Sequence, residues 1–228
     1  MRVAIIPTTG RAILTRSLEA LHDQVDLIVI VAHNSTNQVW DLLGGEYGSQ
    51  PRHARIRVLN YRAEVPNISV MWNMGLNEAD DYARSFASLD DGHRTYCVVN
   101  DDAIVPRGWV NVMQDAMGGF GAAAASSPEV PLVGGPWLMT EPGPQGHRLA
   151  GYAFALDGTR GLRLDEQFEW WYGDNDIEWQ ARVSGGVVLT SEAGQVEHLH
   201  PNESTVGVLA EKAAGDRDRF QAKWGMLP

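Results

Sequence analysis

The sequence predicts an α/β domain with a mostly parallel central sheet and a smaller antiparallel portion in its second half. Two observations support this fold class. Short apolar runs alternate with amphipathic segments through the first half, which is typical of strand and helix units that feed a parallel sheet. One of these runs, VDLIVIVAHN, is apolar almost throughout, as expected for a strand buried on both faces.

Four strands and three helices are expected in the first half. The predicted strands are VAIIP, VDLIVIVAHN, RIRVLNY and TYCVVN. The first helix follows the loop in TTGRAILTRSLEALHD, with Thr8 or Thr9 as its cap. The second is TNQVWDLLGG, ended by Gly44, and the third is NISVMWNMGLNEADDYARSF, capped by Asn67.

The second half is less regular. Helices are predicted for GWVNVMQDAM, for GDNDIEWQARVSGG from Asp174, and for the closing segment STVGVLAEKAAGDRDRFQAKW, interrupted or bent near Gly215. Strands are predicted for PLVGG, LAGYAFALD, VVLTS and QVEHLH. Since there is no internal repeat and no long linker, residues 1–228 are expected to form one domain.

Composition narrows the class of protein. The chain has 228 residues, 44% hydrophobic and 21% charged, as is ordinary for a soluble globular protein. No apolar run approaches the roughly 20 residues that span a bilayer, and MRVAIIPTTGR turns polar too early for a signal peptide, so a cytoplasmic protein without a membrane span is expected. The net charge of −11 argues against nucleic acid or an anionic membrane as the main partner. A small anionic ligand remains possible if a metal ion or helix N-termini neutralise it.

Polar residues follow three of the predicted strands. The three groups are Pro7, Thr8, Thr9, Gly10 and Arg11; His33, Asn34 and Ser35; and Asn100, Asp101 and Asp102. The acidic group could form an ordinary turn or a site for a hard divalent cation. Ligands of open α/β sheets bind at the carboxyl ends of the strands, so all three groups should lie along one edge. Their coincidence favours a functional role for the acids over a turn.

The loop PTTGR could support a nucleotide through backbone N–H groups and hydroxyls, with Arg11 reaching phosphate or base. It is neither a P-loop nor a GxGxxG fingerprint, and an ordinary helix N-terminus is the alternative. In the third predicted helix, Asn73 and Asn77 share a face and need hydrogen-bond partners. Neighbouring loops or a ligand would satisfy these amides equally well.

Two further motifs carry titratable side chains. In EWWYGDNDIEWQAR, Asp174 and Asp176 stand at the start of a helix and face different directions, so Asp174 could enter a cleft while Asp176 binds loop amides or a basic group. Helix capping without chemistry is the alternative. In VEHLHPNEST, His198 and His200 share one face of an extended segment and could complete a metal shell begun by Asp102, or they could be structural. The oxygen-rich set favours Mg²⁺ or Mn²⁺ over tetrahedral zinc.

The order of these motifs resembles the inverting family-two glycosyltransferases with a GT-A fold. The resemblance runs from Val3 to about Thr205 and rests on VAIIPTTGR, LIVIVAHNSTN, NISVMWNMGLNEA, VVNDDA, AGYAFALD with LDEQFEWWYGDNDIEWQAR, and HLHPNEST. It implies a GT-A-type single domain with a Rossmann-like sheet flanked by helices. Residues 1–102 would be the nucleotide-sugar-binding half, 103–205 the acceptor and catalytic half, and 206–228 a C-terminal helix.

The resemblance also implies roles for individual residues. A nucleotide-diphosphate sugar would contact Pro7, Thr8, Thr9, Arg11, His33, Asn34, Asn67, Asn73, Asn100 and Asp101. Asp102 with His198 or His200 would hold Mn²⁺ or Mg²⁺, and Asp174 would be the catalytic base. The base would activate a hydroxyl of a protein, glycan or small-molecule acceptor that receives a hexosyl or deoxyhexosyl group. The aromatic residues Trp170, Trp171 and Tyr172 could form an acceptor platform or pack in the core.

The chain departs from the family pattern at four positions. His33 stands where an acid is usual, Asn100 replaces the first acid of the DXD motif, Gly173 replaces the glutamate before the base, and Gln180 replaces a common arginine. Two other functions remain as alternatives. A sugar nucleotidyltransferase would need a glycine-rich triphosphate loop that PTTGR does not provide, and a catalytically silent sugar-nucleotide-binding module would not need Asp174.

Overall fold

The structure, a computed structural model, describes residues 1–44, 55–85, 93–128, 132–144, 148–199 and 206–228. These ranges contain ten strands and six α-helices. The strands are β1 (Arg2–Thr8), β2 (Leu27–His33), β3 (Arg55–Tyr61), β4 (Thr95–Val99), β5 (Ala103–Ile104), β6 (Ala124–Ser126), β7 (Trp137–Met139), β8 (Ala153–Asp157), β9 (Val187–Leu189) and β10 (Glu197–His198). The helices are α1 (Leu14–Leu21), α2 (Thr36–Gly44), α3 (Ile68–Ser85), α4 (Trp109–Phe120), α5 (Gly173–Val183) and α6 (Val208–Trp224).

Eight of these strands form one sheet in the order β3-β2-β1-β4-β8-β6-β9-β7. Strands β1 to β4 are parallel, β8 runs antiparallel to both β4 and β6, β9 is parallel to β6, and β7 is antiparallel to β9. A separate antiparallel pair, β5 and β10, follows the end of β4. The predicted α/β class, mostly parallel with an antiparallel portion in the second half, is confirmed.

The sheet has a hydrophobic layer on each face. Along β2, Ile28, Ile30 and Ala32 pack into one core cluster, while the alternate residues Leu27, Val29 and Val31 pack into the other. The continuous apolar run therefore buries both faces of this strand, as predicted.

Helix α3 lies close against β1 because Gly75 has no side chain. A Cβ at this position would lie 3.1 Å from Cγ1 of Ile5. The beginning of α3 is capped as predicted, since the backbone N–H of Val70 donates to Oδ1 of Asn67 over 3.0 Å.

Several predicted elements differ from the structure. Neither Thr8 nor Thr9 caps α1, whose N-cap position is Ile13 with no side-chain cap. The hydroxyl of Thr8 instead donates to Asp101 and accepts the N–H of Gly10. The described residues of PLVGG, 132–135, lie outside any strand, and β7 follows them. Helix α6 continues through Gly215 without interruption. Among the described helices, none has both the length and the apolar character that a membrane crossing requires.

Candidate active site

The carboxylate of Asp101 forms hydrogen bonds that connect the loop after β4 to the loop after β1. Thr8 donates its hydroxyl to Oδ2 of Asp101 over 2.7 Å, and Nε of Arg11 donates to the same oxygen over 3.2 Å. A second guanidinium nitrogen of Arg11 bonds Oδ1. From α1, Ser17 donates to the carbonyl oxygens of Asp101 and Ala103 over 2.8 and 3.0 Å. The acids are thus held by both side-chain and backbone bonds, and the hydrogen bond with Asp101 raises the pKa of Arg11.

The two carboxylate oxygens of Asp102 have different neighbours. Oδ2 lies 3.1 Å from a guanidinium nitrogen of Arg11, and Oδ1 lies 3.4 Å from Nε2 of His198. Oδ1 is buried and accepts no hydrogen bond. Burial acts to raise the pKa of Asp102, but His198 and Arg11 outweigh it and hold this pKa below its usual value. The carboxylate is therefore ionised at neutral pH, with one oxygen turned toward the histidine.

The β5–β10 pair brings His198 to this position. His198 is the register partner of Ala103, and Leu199 donates its N–H to the carbonyl of Asp102 over 3.0 Å. The imidazole stacks on the ring of Tyr152 with centroids 4.3 Å apart. Sequence reasoning proposed both His198 and His200 beside Asp102; the structure brings His198 there, and His200 lies outside the described residues.

Asp102 and His198 fit two ligands of a divalent cation. Oδ1 of Asp102, in the turn before β5, is an oxygen donor without a hydrogen bond, and Nε2 of His198, on β10, is a nitrogen donor 3.4 Å away. Mn²⁺ and Mg²⁺ accept such sets. Within the described ranges no cluster of three or more His, Cys, Asp or Glu side chains could hold a metal. These two side chains leave coordination positions for phosphate oxygens and water.

The end of β2 is bonded to the segment that follows β3. His33 lies with Nε2 2.9 Å from the carbonyl oxygen of Ala63, and the side-chain amide of Asn34 donates to the same oxygen over 2.6 Å. Asn34 adopts a left-handed backbone conformation with φ of 52°, which asparagine tolerates better than most residues. Because β1 lies between β2 and β4, the three polar groups share the carboxyl edge of the sheet, as predicted.

Asn67 and Asn73 are bonded to the segment that leads to α5. Asn67 caps α3 and donates to the carbonyl of Glu166 over 3.0 Å. Asn73 donates to the carbonyl of Leu164 over 2.8 Å and accepts from its N–H over 2.9 Å. Of the two options that the sequence left open for Asn73, the neighbouring loop supplies these partners.

Asp174 lies in the first turn of α5, directly against the backbone of Gly151. A Cβ at position 151 would lie 2.8 Å from Cγ and 2.9 Å from Cβ of Asp174. The neighbouring Tyr152 accepts a hydrogen bond from the N–H of Asn100 over 2.8 Å and stacks on His198. Residues 151 and 152 therefore connect Asp174 to the loop after β4, which carries Asp101 and Asp102.

The two aspartates of α5, Asp174 and Asp176, have different surroundings, as predicted. Asp176 is fully buried, and its carboxylate accepts from the indole N–H of Trp224 over 2.7 Å and lies 2.9 Å from Nζ of Lys223. Asp174 is half-buried. Among the candidate platform residues, the ring of Tyr172 packs on Phe220 at 5.4 Å between centroids, whereas 39% of Trp171 is exposed.

Sequence reasoning missed the polar contribution of α6. Asp216 on this helix is fully buried and accepts three successive backbone N–H groups, those of Glu169, Trp170 and Trp171. A charged residue in a helix rich in charge carries no local signal of burial. The burial of Asp216 could have been predicted only by asking which group accepts the hydrogen bonds of the loop N–H groups before α5.

The mostly parallel central sheet, the small antiparallel sheet and the six helices match the GT-A class of fold. S. aureus TarS, a GT-A-fold glycosyltransferase, has this fold. TarS 1-349 superposes with a TM-score of 0.59 at 11% identity over 99% of this chain and 72% of that one. TarS 1-349 in complex with UDP-GlcNAc gives 0.60 at 12% identity, over 96% and 66%.

Full TarS gives a TM-score of 0.60 at 11% identity, with 97% of this chain matched to 43% of its own length. No protein-family model matches the chain, and no curated protein matches its sequence. At this level of identity the likeness establishes the GT-A fold, which confirms the expected fold class.

Proposed function

We propose that this protein is a metal-dependent inverting glycosyltransferase that moves a hexosyl or deoxyhexosyl group from a nucleotide-diphosphate sugar to an acceptor hydroxyl. One arrangement supports this function most directly. His198, which lies beside Asp102, stacks on Tyr152, and Asp174 lies against the preceding residue, Gly151. An inverting transfer needs cationic stabilisation of a leaving group and a base for the acceptor.

The donor would bind along the carboxyl edge of β1, β2 and β4. Arg11 can bind phosphate, and the loop following Pro7 offers backbone N–H groups and the hydroxyl of Thr9. The complexes of TarS with UDP and UDP-GlcNAc support a nucleotide sugar as the ligand of this fold. Residues 1–102 would then bind the donor, and residues 103–205 would supply the acceptor site within one domain.

The cation would be held by Asp102 and His198, with His200 as a further candidate ligand. A bound Mn²⁺ or Mg²⁺ supplies positive charge where the diphosphate accumulates negative charge as it leaves. Arg11 contributes a second, permanent positive charge next to both acids. The fold keeps Oδ1 of Asp102 directed toward His198, where it accepts no hydrogen bond that would compete with a cation.

The displacement would occur in one step. The acceptor oxygen forms a bond to C1 of the sugar as the bond from C1 to the diphosphate oxygen breaks, and Asp174 takes the hydroxyl proton. Attack from the face opposite the leaving group inverts the configuration at C1. Trp171, which is partly exposed just before α5, is available to contact the acceptor.

Asp174→Asn tests the assignment of the base. The amide keeps the shape of the side chain but cannot take a proton, so the rate of sugar transfer should fall by about 10² to 10⁴-fold. Donor binding should stay within about twofold of the wild-type value, because the proposed diphosphate contacts lie at the ends of β1, β2 and β4 and not on α5. Asp218→Asn, at an exposed position on α6, is the matched control and should retain full activity. Undiminished transfer by Asp174→Asn would exclude this residue as the base.

Thermal stabilisation by nucleotide sugars tests the donor and the metal. A ligand at 100 times its dissociation constant stabilises a folded protein by about 2.7 kcal/mol. UDP-, GDP- and dTDP-sugars would be screened with and without Mn²⁺, and one group should raise the melting temperature only when Mn²⁺ is present. Asp102→Asn should remove the Mn²⁺-dependent part of the shift. The absence of a shift with every nucleotide sugar would contradict the proposed function.

A further inference from the structure

Helix α6 holds the chain immediately before Asp174 through the carboxylate of Asp216. Oδ1 of Asp216 accepts the N–H of Glu169 over 3.1 Å. Oδ2 accepts the N–H groups of Trp170 and Trp171 over 2.8 and 2.9 Å. Three consecutive backbone donors therefore converge on one fully buried carboxylate. The next residue, Tyr172, has a left-handed φ of 63° and leads directly into α5.

The same helix holds the chain immediately after Asp174. The indole N–H of Trp224 donates to Oδ1 of Asp176 over 2.7 Å, and Nζ of Lys223 lies 2.9 Å from this oxygen. Between the two attachments, Phe220 of α6 packs on the rings of Tyr172 and Trp179, with centroids 5.4 and 4.9 Å apart. Asp174 is thus flanked on both sides by residues that α6 fixes.

Burying the carboxylate of Asp216 destabilises the fold unless hydrogen bonds and ion pairs compensate for the lost hydration. An apolar side chain would pack a helix equally well, because burying a charge is unfavourable without compensation. Here the compensation comes from the three loop N–H groups and from Arg219, whose Nη1 lies 2.7 Å from Oδ1. What the carboxylate adds beyond packing is the geometry of residues 169–171, since successive N–H groups directed at one anion have few alternative conformations.

We infer that Asp216 is a positioning residue that sets the placement of Asp174, and that Trp224 provides a second, weaker attachment for the same purpose. This inference rests on the proposed role of Asp174 as the base. Helix α6 would thus affect the reaction through the position of Asp174, and not through contact with Asp101 or Asp102.

Hydrogen exchange tests the attachment without any substrate. In Asp216→Asn the amides of residues 169–171 should exchange at least about tenfold faster than in the wild type, because their acceptor has lost its charge. The amides of residues 172–176 should follow, because the start of α5 loses this attachment. Peptides from β2 and α3 should exchange as before. Unchanged exchange in residues 169–176, or an equal increase throughout the chain, would overturn the inference.

Kinetics test the consequence for the base. Release of nucleoside diphosphate from UDP-, GDP- and dTDP-sugars with Mn²⁺, with water in place of the acceptor, should slow at least tenfold in Asp216→Asn. The donor dissociation constant should stay within twofold of the wild-type value. Val110→Ala, a core change in α4 far along the chain from residues 169–171, is the control for lost stability, and it should keep the wild-type turnover per folded molecule. If Asp216→Asn keeps the wild-type turnover per folded molecule, as Val110→Ala should, then Asp216 has only a structural role and the inference is refuted.

If Asp216→Asn does not fold, Trp224→Phe tests the positioning role of α6 instead. This change retains an aromatic ring against Trp179 and Phe220, and it removes the N–H that binds Asp176 together with one ring of the indole. It should slow turnover a few-fold and speed exchange at the start of α5, with donor binding unchanged; wild-type values for both would contradict the inference. Asp174→Asn measured in the same series separates the two proposals. An active Asp174→Asn variant refutes the base, whereas normal exchange and turnover in Asp216→Asn refute only the positioning role.

Discussion

Gly151→Ala should abolish the proposed sugar transfer by displacing the carboxylate of Asp174. A Cβ at residue 151 would lie 2.8 Å from Cγ and 2.9 Å from Cβ of Asp174. Ordinary contacts between carbon atoms are about 3.5–4.0 Å, so the aspartate side chain must retreat by roughly 1 Å. Because Cβ of Asp174 also overlaps the new methyl group, a rotation of the carboxylate about the Cβ–Cγ bond cannot relieve the overlap.

The expected loss follows from this displacement. A misplacement of about 1 Å costs roughly 10²-fold in rate, or about 2.7 kcal/mol of transition-state stabilisation. Overpacking should lower the free energy of unfolding by a further 1–3 kcal/mol, approximately. Donor affinity should change little, because the three atoms nearest to the new methyl group all belong to Asp174.

The assay compares turnover of nucleotide sugar with donor binding, both measured well below the melting temperature. Gly119→Ala is the matched control: this glycine lies in α4, and a Cβ there would meet nothing within 4 Å. The control should retain activity and gain about 0.5–1 kcal/mol in stability. Turnover of Gly151→Ala within twofold of wild type would refute the reasoning that Asp174 must occupy its present position.

Two further predictions concern stability, measured by urea denaturation. Gly75→Ala should lower the free energy of unfolding by about 1–3 kcal/mol, because the new methyl group meets Ile5; combined with Ile5→Ala, the loss should be smaller than the sum of the single effects. Lys223→Met should cost about 1–3 kcal/mol at pH 7 by removing the donor to Asp165 and the cation beside buried Asp176. Burial acts to raise the pKa of Asp165, but the bond from Lys223 outweighs it and lowers this pKa, so the bond stabilises the fold above pH ~4. The wild-type advantage at Asp165 should therefore shrink as the pH falls through the lowered pKa, and a constant advantage down to pH 3 would contradict this assignment.

Local pattern was sufficient for most of the first half. The run VDLIVIVAHN predicted β2, RIRVLNY predicted β3, and the asparagine at position 67 predicted the start of α3, because apolar periodicity and capping depend on residues near in sequence. The grouping of Asp101 with Arg11 also followed from sequence, through the rule that parallel strands end at a common edge.

Other elements had no local signal. The run AAAASS contains β6, although alanine has little preference for strands and the run has no alternation. This strand is defined by its neighbours, since β8 and β9 pair with it on either side. Likewise, the hydroxyl of Thr8 serves Asp101 rather than α1, because the loop after β1 places it 2.7 Å from that acid.

By itself, the sequence determined the fold class, the edge of the sheet where the acids gather, and the candidates Asp102, His198 and Asp174. Only the tertiary structure decided which oxygen of Asp102 faces His198, that Asp174 rests on Gly151, and that Asp216 of α6 holds the chain before it. Asp216 and the amides it binds are 45 to 47 residues apart in the chain. Helical periodicity reports which face of α6 is apolar, but the partner of a buried charge depends on a surface that exists only after the sheet and its helices have packed together.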